Sequence, residues 1–208
     1  MSHVKSRREM YADATRAAVL DVATRLFAER GYAGTALADV AADAQVTRGA
    51  VYHHFSGKQA LFEAVLAAQE LELIERIAAE TAEVADPWEA ALAGLESFLD
   101  RCCDPTYGRL VWQEGPSALG WTRWKECEKE YAYGLVEQFV HSLRGAGYLR
   151  PSDINTTVWF CFQLLGAAGL RLAETGEEDK RRMRDECSAV IRAMLLGLRG
   201  DATAPGGG

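Results

Sequence analysis

The apolar positions of this chain recur every three or four residues almost from end to end, and nowhere do they alternate as in a strand. Val19, Val22, Ala23, Leu26 and Phe27 form the first stripe, in a helix predicted over 12–30 that Gly31 is placed to end in a left-handed cap. A short second helix over 36–44 turns Leu37, Val40, Ala41 and Ala44 inward, with Thr35 as N-cap and Asp39 near its positive end. After a three-residue break a third helix begins, with Thr47 as its cap. Ser56 and Gln59 have the spacing of a capping box for a long fourth helix reaching about residue 84. Asp86-Pro87 opens a fifth helix to about residue 103, and Asp104-Pro105 a short sixth over 106–114. Gly115-Pro116 starts a loop to Gly120. A seventh helix then covers 121–144, an eighth follows Pro151-Ser152-Asp153 to about residue 175, and a ninth covers 178–199. The chain is thus expected to be all-α, with about nine helices and no internal repeat. Residues 1–11, with Lys5, Arg7 and Arg8, read as a flexible basic arm, and the GDATAPGGG of 200–208 as a disordered tail.

Composition narrows the class. Apolar residues make up 49% and charged residues 25%, as in ordinary soluble globular proteins. Nothing resembles a signal peptide, and the most apolar run, 158–170, is short for a membrane span and contains Gln163. A cytoplasmic protein without membrane contact is expected. The cysteines, Cys102, Cys103, Cys127, Cys161 and Cys187, are odd in number and form no C-x-x-C pair, so they read as reduced thiols rather than a disulfide or zinc framework. The histidines, His3, His53, His54 and His141, form no legible catalytic constellation. No enzyme, catalytic residue, metal or cofactor is expected. The net charge of −7 is uneven: residues 1–58 carry eight Lys and Arg against six Asp and Glu, and the remainder fifteen against twenty-four. An acidic chain can still bind nucleic acid where its positive charge is local.

The local chemistry is concentrated in VTRGAVYHHFSGK, residues 46–58. At 100° per residue Val51 and Phe55 face inward, Gly49 and His53 lie opposite, and Ala50 and Tyr52 flank them. Arg48 occupies the first turn. The outer face therefore carries small residues and hydrogen-bonding rings but no carboxylate. Two short helices joined by a tight break, the second with such a face, are a helix-turn-helix, whose second helix enters the major groove of DNA. Lys58, at the start of the next helix, is placed where free N–H groups favour an anion such as a backbone phosphate. Taken singly, His54 is compatible with an interior histidine, Tyr52 with packing and Arg48 with a solvated charge. His53 and His54 are adjacent and point about 100° apart, so they cannot chelate one metal on a regular helix.

These residues carry a resemblance. LFAERGYAGTALADVAADAQVTRGAVYHHFSGKQALF, within 17–66, is similar to the DNA-binding domain of TetR-type (TetR/AcrR) bacterial transcriptional regulators. The resemblance implies a helix-turn-helix domain over 12–57 and a helical ligand-binding and dimerisation domain over 58–199. It implies base-proximal positions for Arg48 and Gly49, and phosphate contacts for Thr47, Tyr52, His54 and Lys58, with His53 beside them. It further implies a repressor that binds operator DNA as a homodimer and leaves it when a small-molecule effector binds. A regulator without a ligand, or an activator, are the alternatives. Gln45 stands at a turn position that relatives usually give to Gly, and Ala38 where many carry a polar side chain.

Two features of the larger domain fit that picture. Trp112 and Gln113 end the sixth helix, and Trp121, Trp124, Glu128, Tyr131 and Leu135 form a stripe on the seventh. With Gln163, the aromatic and polar members of this set are candidates to line a ligand pocket. Glu128, a carboxylate on an aromatic stripe, either reaches water or an Arg, or orients a polar or cationic ligand. GPSALGWTRWKE also resembles a recurrent C-terminal subfamily of the same regulators. The eighth helix is apolar nearly all round, with Gly166 and Gly169 permitting close approach of another helix. It needs cover on more than one side, which points to a dimer formed by the eighth and ninth helices.

Overall fold

The computed structural model describes residues 7–200, and among them nine helices and no strand account for most of the chain. The first three make a compact head. α1 spans Arg7–Gly34, α2 Leu37–Asp43 and α3 Arg48–His54. α1 starts at Arg7, not at residue 12, so residues 7–11 are helix rather than arm; Arg, Glu and Met are good helix formers and nothing in this stretch breaks the pattern. The rest of the expected arm lies outside the described residues. Gly31, at φ 74°, interrupts α1 where a cap was predicted. Thr35 does not cap α2; Ala36 occupies that position. The Thr35 hydroxyl instead lies 2.9 Å from the Gly31 carbonyl oxygen and 3.1 Å from that of Leu26, tying down the frayed end of α1. The α2–α3 turn is a Schellman closure, with Val46 N–H donating to Ala41 O at 3.0 Å and Gln45 N–H to Ala42 O at 3.1 Å. Gln45 has φ 54°, the left-handed conformation that Gly would adopt without strain.

α4, Lys58–Thr81, runs from the head into a body formed with α5, Pro87–Cys102. The predicted Ser56–Gln59 capping box is absent. The N-cap is Gly57, one residue later, so Gln59 is too close to reach back and donates to Glu63 instead, at 3.0 Å. Phe27 of α1 and Phe62 of α4 meet edge to face at 5.1 Å, with Tyr32 packed on both, which joins head to body. Asp86 and Asp104 cap their helices as predicted. α6 is one continuous run: Pro105–Tyr107, a π-helical Gly108–Glu114, and Gly115–Leu119. The expected loop after Gly115 is therefore helical. Pro116 falls in the first turn of its segment, where the missing N–H costs nothing, and the break comes at Gly120, φ 76°.

α7 spans Trp121–Gly145, α8 Ile154–Ala173 and α9 Glu177–Leu198. Glu96 of α5 holds Arg184 and Arg192 of α9, each at 2.6 Å. An isolated bridge between Leu149 and Arg199 ties the α7–α8 connection to the end of α9. Gly200 belongs to this closure, donating to Tyr148 O at 2.9 Å, so it is not tail. The remainder of the expected tail lies outside the described residues.

α8 needs two corrections. With its polar first turn it is 20 residues long, and by length and composition alone it could cross a membrane. In the fold, Val158, Phe162, Ala168 and Leu172 are instead buried in the protein. Its glycines serve the same protomer. A Cβ on Gly169 would lie 2.4 Å from the Trp112 ring, and one on Gly166 would lie 3.3 Å from Lys125 Nζ. Trp159 and Phe160 are 49% and 62% exposed, and Val190, Met194 and Leu196 of α9 are exposed as well.

Candidate nucleic-acid interface and buried cavity

α3 is locked from behind. Val51 and Phe55 are buried, and Thr47 Oγ1 accepts from Ala50 N–H at 3.1 Å to cap the first turn. Arg48, Gly49, Tyr52 and His53 are consequently exposed, as the helical phase predicted. His54 is half-buried, with its ring 5.2 Å from His53 and 6.4 Å from Phe55.

The outer groups are uncommitted. Among the described residues, Arg48, Tyr52 and the His53 ring nitrogens have no hydrogen-bond or ion-pair partner. Other arginines of the head are engaged: Arg25 with Asp43 at 2.9 Å and Arg30 with Asp39 at 3.8 Å. A Cβ on Gly49 would meet only Thr47 Oγ1, at 3.8 Å, so nothing inside the protein requires glycine there. Lys58 is partly engaged. Its ammonium donates to Ala33 O at 3.3 Å and lies 4.4 Å from the centre of the Tyr32 ring. No side chain caps α4, so its first N–H groups stay open beside that ammonium. Among the described residues no group of three His, Cys, Asp or Glu side chains could hold a metal.

The body holds a cavity of about 120 Å³, partly open to the surface, between α4, α5, α6, α7, α8 and α9. Of the candidates from sequence, Trp112 and Glu128 line it. Gln113 lies outside its wall, donating to Ala173 O at the end of α8 at 2.5 Å. Trp124 is fully buried but sits behind Trp112, ring centres 5.7 Å apart, in a space that Gly115 leaves open. Trp121 is 56% exposed, and Tyr131 and Gln163 are half-buried outside the wall. The seventh-helix stripe thus divides: Glu128 and Leu135 line the cavity, whereas Trp121, Trp124 and Tyr131 do not.

Sequence reasoning missed Glu70. It continues the stripe Leu66, Leu73, Ile77 on α4, and the same test that singled out Glu128 would have found it. Both carboxyls are buried, Glu70 at 2% exposure and Glu128 at 5%. Glu70 accepts from the Tyr107 hydroxyl at 2.7 Å. Glu128 has no hydrogen-bond or ion-pair partner among the described residues. Burial pushes Glu70 up to about 7, against the Tyr107 hydrogen bond and the charge of Arg101. Burial and the nearby Glu70 charge raise Glu128 well above the usual carboxylate range, against Lys125.

α6 also reaches the head. Glu114 accepts from Tyr32 N–H at 2.9 Å, and Arg109 donates to Glu29 O at 3.4 Å. The π segment therefore has one side on the cavity, through Trp112, and the other on the end of α1.

A helix-turn-helix head with an uncommitted polar face, mounted on a helical body with an internal cavity, is the architecture of a DNA-binding regulator. Residues 19–65 match the bacterial regulatory proteins of the tetR family, and residues 88–198 match the tetracyclin repressor-like C-terminal domain. The chain belongs to the TetR family of transcriptional regulators, which are not enzymes. It is similar over 94% of its length to the transposon Tn10 TetC protein of Escherichia coli, at 26% identity across 200 residues and 98% of that protein. The HTH-type transcriptional regulator TtgR of Pseudomonas putida is 48% identical over 60 residues, 29% of either chain. The crystal structure of a TetR-family transcriptional regulator from Pectobacterium atrosepticum aligns with a TM-score of 0.80 and 27% identity, covering 95% of this chain and 99% of the other.

Proposed function

We propose that the protein is a cytoplasmic repressor that binds an operator as a homodimer through α8 and α9 and is released by a small molecule in the body. The observation that carries this reading is the exposed set Arg48, Tyr52 and His53, without partners on a helix rigidly seated from behind. Arg48 and Gly49 read base edges, Gly49 because any side chain would hold the backbone off the groove. Thr47, Tyr52, His54 and Lys58 bind phosphates, with His53 between the two sets, and the open first turn of α4 assists Lys58. Residues 12–57 act as the reading head and 58–199 as the sensing and pairing body. The exposed apolar side chains of α8 and α9 supply the pairing surface. Of the candidate ligand contacts the proposal retains Trp112 and Glu128 and adds Glu70.

Release requires a ligand that favours one spacing of the two heads over another. α4 and α6 are placed to couple the sites, since each touches both cavity and head. A coupling of about 1–3 kcal/mol shifts operator affinity roughly five- to 150-fold. Selection of bound sites from random duplex DNA tests the reading. An enriched two-half-site sequence is expected, and Lys58→Ala is expected to lower the salt slope of binding by about one unit. Recovery of unenriched DNA, or sedimentation of the intact protein as a folded monomer at micromolar concentration, would overturn it.

A further inference from the structure

The cavity poses a chemical problem that its own walls leave open. Two carboxyl groups, on α4 and α7, face a space otherwise bounded by apolar and aromatic groups. Tyr107 answers Glu70, but nothing answers Glu128. A buried polar group without a partner is costly and rare in native proteins. Lys125, one turn away on α7, is held elsewhere. Its ammonium lies 5.0 Å from the Trp124 ring and 5.4 Å from that of Phe162, and donates to Gln163 at 3.4 Å. Among the described residues no side chain pairs with Glu128, and the Trp112 Nε1 donor on the same wall is itself unpaired, so the cavity leaves polar groups open to a bound molecule. Phe98, Tyr107, Trp112, Phe139 and Phe162 add ring faces and edges to the wall, and ring faces favour positive charge. The volume, about 120 Å³, is below the roughly 150 Å³ of a cavity known to hold one benzene ring, so a ring with an amine arm enters only as the wall moves outward, which the release reading itself requires.

We propose that the effector of this protein is a small organic ammonium, a single ring bearing an aliphatic amine, whose N–H groups donate to Glu128 while the ring packs against the aromatic wall. The inference rests on the ligand-responsive reading above and names the ligand class. It fixes a proton balance. In the empty cavity burial favours neutral carboxyls, joined at Glu128 by the Glu70 charge, and opposed by Lys125 at Glu128 and by the Tyr107 hydrogen bond and Arg101 at Glu70. Cys102 and Tyr107, the other titratable groups against Glu70, are held neutral by burial. An arriving ammonium keeps its own proton and displaces the carboxyl proton of Glu128 to solvent, leaving an ammonium–carboxylate pair. Binding therefore releases a proton and tightens as pH rises, until the free amine itself deprotonates.

Calorimetry on the full-length protein tests this with 2-phenylethylamine and cyclohexylmethylamine, set against 2-phenylethanol and phenylacetate. The expected result is binding of the amines in preference to both comparators, with proton uptake by the buffer seen in buffers of different ionisation enthalpy. Glu128→Gln, an isosteric change, is expected to weaken amine binding about ten- to a hundredfold, the size of a lost hydrogen bond to a charged group, and to remove the proton release. Glu70→Gln is expected to weaken it less, since Tyr107 already serves that carboxyl. Binding of 2-phenylethanol as tight as that of the amines, amine binding without proton release, or no binding of either amine would overturn the proposal. Adding operator DNA separates it from the parent reading. Amine binding that leaves the operator complex intact supports the ligand class and removes the release mechanism. Release by 2-phenylethanol and not by the amines keeps release and overturns the ligand class.

Discussion

Arg48 and Glu128 are both ionisable side chains without a partner among the described residues, yet one stands in water on α3 and the other is buried against the cavity of the body. For Arg48 the missing partner costs nothing, because water supplies the hydrogen bonds until something displaces it. For Glu128 the missing partner is a standing penalty, and the group responds by holding its proton. The same deficiency therefore has opposite consequences. On the head it leaves affinity for a partner without burdening the fold; in the body it couples ligand, proton and stability. Substitutions on the two sides should separate accordingly.

The largest effect is expected at the cavity wall. Trp112 fills the notch over Gly169 and packs edge-on against Trp124 and Phe98. Trp112→Ala should cost about 3–5 kcal/mol in urea unfolding, as large aromatic truncations do. A loss below about 1 kcal/mol would mean that the wall collapses freely, and the contrast with the head would fail.

The next effect is one of pH. Glu70 is raised from its ordinary 4.5 to about 7, and Glu128 is raised well above the usual carboxylate range. A group with a raised folded pKa contributes its full stability below the unfolded value and loses it as pH climbs through the folded one. The ligand-free protein should thus weaken as pH rises from about 4.5 to about 7 through Glu70, by at most about 1.4 kcal/mol per pH unit for each such group, with Glu128 acting in the same direction. Thermal unfolding across that range checks the sign. The double change Glu70→Gln with Glu128→Gln should flatten the profile; an unchanged slope would assign it to other groups.

On the head, Arg48→Ala should leave unfolding within about 0.5 kcal/mol of the parent, as for exposed positions generally. If Arg48 reads a guanine, base preference at that position should relax by about 1–3 kcal/mol, while phosphate binding persists. Competition binding against operator variants measures this. Equal weakening on every sequence would make Arg48 a phosphate ligand instead.

The two regions also differ in how far they could be read from sequence. The α3 face was legible because helical phase alone decides it. Val51 and Phe55 must go in, so Gly49 and His53 must come out, and a residue pointing at solvent needs no knowledge of its neighbours. The cavity wall was legible only where one helix sufficed. Trp112 and Glu128 lie on apolar stripes and do line the space, whereas Trp121 is exposed at the start of its helix and Trp124 fills the space opened by Gly115. Those depend on backbone breaks whose consequences appear only when helices pack. Glu70 hid among the acids of ELELIERI, where only the register with Leu66 and Leu73 marks it as inward. Caps failed for a local reason. Thr35 and Ser56 each stand one residue before the true N-cap, Thr35 because its hydroxyl is taken by the end of α1 and Ser56 because the extended Gly57 opens α4.

The smallest expected effect tests whether the head is as free of penalty as Arg48 suggests. Gln45 adopts φ 54° in the turn beneath α3, with both Schellman hydrogen bonds in place. A side chain in that conformation is strained by roughly 1–2 kcal/mol, which Gly does not incur. Gly in turn loses about 0.4–1 kcal/mol by loosening the unfolded chain. The balance makes Gln45→Gly stabilising by up to about 1.5 kcal/mol, whereas a β-branched Gln45→Val should destabilise, since such residues are outliers at positive φ. Because the backbone is already in the glycine-compatible conformation, Arg48 should keep its place and operator affinity should not change. Denaturant midpoints of the two variants against the parent decide the matter. If Gln45→Gly is the less stable protein, the turn carries no strain to relieve, and the head then has no internal penalty of the kind that Glu128 imposes on the body.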